Sequence, residues 1–176
     1  LRQFYQTSEN ILEAFKNKSE LKIPVFIALS EDDYVVDVQF IKKTITNEFT
    51  HPASRLMLFG REVNKRDIKE EKRIILKESN LPQKKIYGFS HTSIPISGFN
   101  SHYGENADFY NCWMVSDADK KEICKKNIDK TIWFTELRLD TPNENRIYAR
   151  LTYNPYFEEM MKAALKVLKN REMKNE

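Results

Sequence analysis

The run Ile23-Pro24-Val25-Phe26-Ile27-Ala28-Leu29 carries no charge and stops abruptly at Ser30-Glu31-Asp32-Asp33. It is far shorter than the roughly 20 residues a membrane helix needs. A short continuous apolar run is the signature of a strand covered on both faces, as in a parallel sheet. Residues 37–49 then place Val38, Ile41, Ile45 and Phe49 on one helical face, and His51-Pro52 ends that helix. Arg55-Leu56-Met57-Leu58-Phe59 is a second short apolar strand. Strand, helix and strand with short joints is the βαβ rhythm of an α/β protein. The two strands are therefore expected to be parallel neighbours.

The remainder is read around that unit. Phe4, Ile11, Leu12 and Phe15 predict a helix ending near Asn17. Residues 61–72 are dense in charge and read as an exposed excursion. Further strands are expected at residues 73–76 and 85–89, with a turn at Asn80-Leu81-Pro82. Residues 92–112, rich in Ser, Gly, Asn and Pro, read as a long loop, and residues 117–126 as a polar helix. Short strands are expected at 132–134 and 147–151. A last helix opens after Asn154-Pro155 with Phe157, Met160, Met161, Ala164, Leu165 and Leu168 on its apolar face. Trp113, Trp133 and Phe134 are assigned to the core, and His51 to a structural role.

A chain of 176 residues with 40% hydrophobic and 31% charged residues suits one domain with a real core. The net charge of +3 is made of interspersed charges, so no nucleic-acid footprint is expected. No transmembrane segment is expected, and the compartment, cytoplasmic or secreted, is left open. Leu1 stands inside a helical pattern, so the start reads as that of a fragment or a processed product. Cys112 and Cys124 permit one disulfide or a buried pair of thiols. With His91 and His102 they lack metal-ligand spacing, so neither metal nor cofactor is expected.

Two segments carry the chemistry. Asp32 and Asp33 follow the C-terminal end of a buried parallel strand, where α/β folds place their sites. The same carboxylates could instead cap the next helix or make a turn. In Ile86-Tyr87-Gly88-Phe89-Ser90-His91-Thr92, His91 follows an apolar stretch, comes after the carboxylates in chain order and opens an irregular loop.

These two segments resemble the α/β-hydrolase superfamily. There, a strand of the form Pro-Val-apolar-apolar followed by Gly-x-x-Asp-x-Val-Val carries the acid of a catalytic triad, and the order is Ser, Asp, His. Pro24-Val25 and Asp33-Tyr34-Val35-Val36 match this form, with Ser30 where the family usually has Gly. The resemblance implies Asp33 as the acid and His91 as the base; Asp32, its neighbour, is expected to point away because successive residues leaving a strand face opposite sides. It implies the C-terminal part of an α/β-hydrolase fold, a parallel sheet flanked by helices, as a single domain over 1–176. Residues 61–84 would be an insertion before the histidine, and 92–112 a loop on the site side, from which His102 could meet substrate. No Gly-x-Ser-x-Gly elbow is present. The nearest imitation, Gly88-Phe89-Ser90-His91-Thr92, lacks a following helix, so Ser90 is not the nucleophile. The implied activity is hydrolysis of a small acyl ester or thioester, with the serine upstream of this chain and the chain alone inactive. The alternative is a hydrolase-like binding or interaction module without catalysis. An exposed sheet edge could pair two copies into a dimer.

Overall fold

The computed structural model describes residues 23–61, 72–113, 115–126, 132–136 and 146–172, together with residues 3, 6, 7, 9, 10 and 13. Those last six are helical, while Phe4, Ile11, Leu12 and Phe15, which carried the expectation of a helix there, lie outside the described residues.

Strand β1 (Phe26–Ser30), helix α1 (Val38–Asn47), β2 (Arg55–Gly60) and β3 (Ile74–Glu78) form the main layer. The sheet has the order β1-β2-β3 and both pairings are parallel, Phe26 opposite Arg55 and Leu56 opposite Ile74. The βαβ expectation is met. Residues 74–78, inside the stretch read as an insertion, supply the third strand. Each strand distributes its apolar side chains with period two, as the pleat requires. Ile27, Leu29, Leu56, Leu58, Ile74 and Leu76 pack on one side with Ile41 and Ile45 of α1. Phe26, Ala28, Met57, Phe59 and Ile75 face the opposite side, towards Met160 and Ala163 of the last helix. Covering both faces explains why the strands read as unbroken apolar runs. Asp37 caps α1, its carboxylate accepting from Phe40 N–H at 2.9 Å.

A smaller unit follows. Helix α2 (Ala118–Lys126) packs beside β4 (Trp133–Thr135) and β5 (Tyr148–Arg150), which pair in parallel. Its core holds Cys112, Cys124, Ile132, Ile147 and Ala149. Cys112 and Cys124 are disulfide-bonded, which decides between the two alternatives the sequence left open. The bridge closes a loop with a sequence separation of 12. Replacing both cysteines by Ala should lower stability by roughly 2–3 kcal/mol, the loop-closure entropy returned to the unfolded chain. Urea unfolding of the oxidised protein and the variant measures this, and equal midpoints would mean the bridge constrains nothing.

Helix α3 (Phe157–Glu172) closes the chain. Asn154 organises its start, accepting from Tyr156 N–H at 2.8 Å and donating to the Ile94 carbonyl at 3.1 Å. The structure departs from three of the sequence expectations. The inward stripe of α3 runs through buried Met160 and Val167 and partly buried Ala163, while Met161, Leu165 and Leu168 are exposed. Two apolar stripes overlap at helical spacing, and only the sheet beneath selects one. Residues 85–89 are not a strand. Lys85 is left-handed (φ 55°) after a 3-10 turn, and only Ile86 makes bridges, to Leu81 and Phe134. Trp113 is 60% exposed rather than in the core. Among the described residues no helix is long and apolar enough to cross a membrane.

Candidate active site

Parallel strands end on one edge, so the residues following β1, β2 and β3 share it. Asp33 lies in the tight turn after β1, its N–H donating to the Ser30 carbonyl at 3.2 Å. Its Oδ1 accepts from Val35 N–H at 2.7 Å and from Val36 N–H at 3.4 Å. The turn-making reading of this carboxylate is therefore correct as local structure. It is also incomplete, because the same Oδ1 stands 3.3 Å from Nδ1 of His91.

The join between these distant segments is built by Ser30 and Asp32. Ser30 Oγ donates to the Phe89 carbonyl at 2.9 Å and accepts from Asp32 N–H at 3.1 Å. Asp32 Oδ2 accepts from Phe89 N–H at 3.1 Å and from Ser79 Oγ at 2.8 Å. Both backbone groups of Phe89 are thus held by the acid turn, two residues before His91. The Phe89 ring stacks on Phe59 at 4.8 Å, locking the segment onto the sheet. Gly88 is required by this closeness: a Cβ there would stand 2.7 Å from Asp32 Oδ2.

Asp32 also binds Arg61, at the end of β2, with Oδ1 2.7 Å from Nε. The Arg61 guanidinium lies 4.9 Å from the centre of the Tyr87 ring. Burial opposes its charge, but the Asp32 carboxylate and the Tyr87 hydroxyl more than offset this and raise its pKa. Glu31, Asp32, Arg61, Asn80 and Tyr87 line a cleft of about 440 Å³ at this edge. Asp32 has its own set of partners, apart from Asp33 and His91, but it is no bystander. It is the clamp that joins the two segments.

Sequence reasoning missed Glu136. It follows β4 directly, and its Oε2 stands 3.2 Å from His91 Nδ1. Its Oε1 is paired with Arg150 of β5 at 2.7 Å. Glu136 is 3% exposed. The signal that singled out Asp33, a carboxylate at the end of an apolar strand, was present in Trp133-Phe134-Thr135-Glu136.

His91 begins a 3-10 turn, His91–Ser93. Ser90 is fully buried, its Oγ capping that turn and 2.8 Å from Thr92 Oγ1, so its hydroxyl is spent on local structure. The His91 side chain is 32% exposed while its Nδ1 is buried, so the exposure falls on the rest of the ring. An imidazole whose Nδ1 faces buried carboxylates and whose far side is open is suited to general acid–base work through Nε2. His102 is exposed and packed against Tyr103 and Phe109 with ring centroids at 4.5 and 4.7 Å. His51 accepts from Ala53 N–H at 3.1 Å, a turn contact. Among the described residues no group of His, Cys, Asp and Glu could hold a metal ion.

Comparison with known protein families, with curated proteins and with solved structures finds no match.

Proposed function

We propose that this chain supplies the acid and the base of a serine hydrolase acting on small acyl esters or thioesters, as the C-terminal part of an α/β-hydrolase. The observation that carries this is the approach of Asp33 Oδ1 to His91 Nδ1, 3.3 Å, at the C-terminal edge of a parallel sheet. The carboxylate favours the tautomer with the proton on Nδ1 and stabilises the imidazolium formed when Nε2 accepts a proton. Nε2 takes the proton of a serine hydroxyl, the serine attacks the acyl carbonyl, and the imidazolium returns the proton to the leaving alcohol or thiol. Water then repeats the cycle on the acyl-enzyme. The nucleophile in this reading is a serine outside these 176 residues. The Cys112–Cys124 bridge favours an oxidising compartment.

A second reading, a hydrolase-like binding module, draws on the engagement of Ser90 Oγ in its own turn. One experiment separates the two. The protein as its own cell makes it is treated with a fluorophosphonate probe. We expect one covalent adduct on a serine, formed at a rate that a competing acyl ester lowers. No adduct under conditions that label a control esterase would sink the hydrolase reading.

A further inference from the structure

His91 Nδ1 has two carboxylates, not one. Asp33 Oδ1 at 3.3 Å and Glu136 Oε2 at 3.2 Å are close to equidistant. Both side chains are almost fully buried, at 2% and 3% exposure. Buried polar atoms ordinarily find hydrogen-bond partners. Here His91 Nδ1 and Glu136 Oε2 meet at ion-pair distance without hydrogen-bond alignment, and Arg150 Nε, on the residue behind them, is a third such atom. All three lie in the row His91, Glu136, Arg150. A proton on Nδ1 standing between two acceptors points squarely at neither, and a small rotation of the ring commits it to one of them.

Two buried carboxylates so close repel unless each is compensated. Each is. Asp33 accepts the Val35 and Val36 N–H groups. Glu136 is paired with Arg150, whose side chain is 17% exposed and whose N–H donates to the Asn111 carbonyl at 2.9 Å. Asn111 adjoins the disulfide-bonded Cys112, so the support of Glu136 belongs to the second unit of the fold. That of Asp33 belongs to the main sheet.

We propose that Glu136, held by Arg150, is a second positioning acid for His91, sharing the Nδ1 proton with Asp33 and able to hold it when Asp33 is lost. Its catalytic meaning rests on the hydrolase reading, whereas the pairing itself does not.

The test reads the two separately. Long-range ¹H–¹⁵N correlation spectra report which ring nitrogen of His91 carries the proton. Asp33→Asn in a site with a single acid presents an amide donor to Nδ1 and forces the wrong tautomer. Here we expect Asp33→Asn and Glu136→Gln each to keep the Nδ1–H tautomer, with shifted ring resonances, and the double substitution to lose it. Glu136→Asp guards against a purely structural role: it retains a carboxylate for Arg150 but withdraws it from His91, and should shift the His91 resonances as Glu136→Gln does. In the probe assay, Asp33→Asn should slow labelling by about 10–100-fold, not the ~10⁴-fold of a lone acid, and the double substitution should complete the loss. Loss of the Nδ1–H tautomer in Asp33→Asn alone would overturn the proposal. So would His91 resonances that Glu136→Gln leaves in place in a folded protein. The expected tautomer pattern in a protein that the probe never labels would uphold the pairing and sink the hydrolase reading.

Discussion

His91→Ala is expected to lower fluorophosphonate labelling by at least about 10³-fold while leaving the fold in place. The first half follows from the role of Nε2. The other described histidines have contacts of their own, His102 with Tyr103 and Phe109 and His51 in its own turn. The second half follows from what His91 does not do. The turn it begins is capped by Ser90, not by the imidazole. Its ring contributes no hydrogen bond to the main sheet, and the carboxylates it leaves keep Val35, Val36 and Arg150 as partners. The change in unfolding free energy should therefore stay within about 1 kcal/mol. Rate of adduct formation and urea unfolding, measured on the same preparation, check both halves. Labelling at the wild-type rate in a folded variant would remove His91 from the mechanism.

The largest effect on stability is expected at Asp32, the carboxylate the sequence reading set aside. Asp32→Ala should cost about 3–5 kcal/mol, the range for breaking a buried ion pair by removing one partner. Arg61, itself 28% exposed, recovers part of its hydration, which places the change towards the lower end. The rest comes from the Ser79 hydroxyl and the Phe89 N–H, buried donors left without their acceptor. Against a total stability of about 5–15 kcal/mol for an ordinary domain, this is a large share. Asp32→Asn keeps an acceptor oxygen but loses the charge opposite Arg61, and should lie between the two. Urea denaturation gives all three values. Equal stabilities would mean that the clamp between the acid turn and the Phe89 segment bears no strain, and that His91 is placed by other contacts.

The parallel sheet was legible from residues alone because a strand covered on both faces must be apolar throughout, and the runs at 23–29 and 55–59 say so without reference to anything distant. The helix between them was legible for the same reason, since Val38, Ile41 and Ile45 recur at the helical period. Asp33 and His91 could be marked as candidates because each follows such a segment, and strand ends of a parallel sheet share an edge. The segment before His91 has the apolar pattern of a strand and does not form one. Its apolar residues are buried, with Ile86 and Phe89 at 0% exposure, but burial comes from single bridges and ring stacking rather than from a ladder.

Periodicity is a property of the backbone and is written locally, so the sequence by itself determined the parallel strands at 26–30 and 55–60 and the helix between them, with Asp33 just past the first. Partners are another matter. Whether Asp32 idles or clamps depends on Phe89 and Ser79 arriving beside it from 57 and 47 residues away. Whether Glu136 touches His91 depends on β4 being tied to the segment that precedes His91, through the Phe134 N–H to Lys85 carbonyl and Tyr87 N–H to Phe134 carbonyl bonds, 2.8 Å each. Which of two apolar stripes of α3 is buried depends on the pleat it meets. Hydrogen bonds and packing act over a few ångströms in space and are indifferent to separation along the chain, so only the tertiary structure decided them.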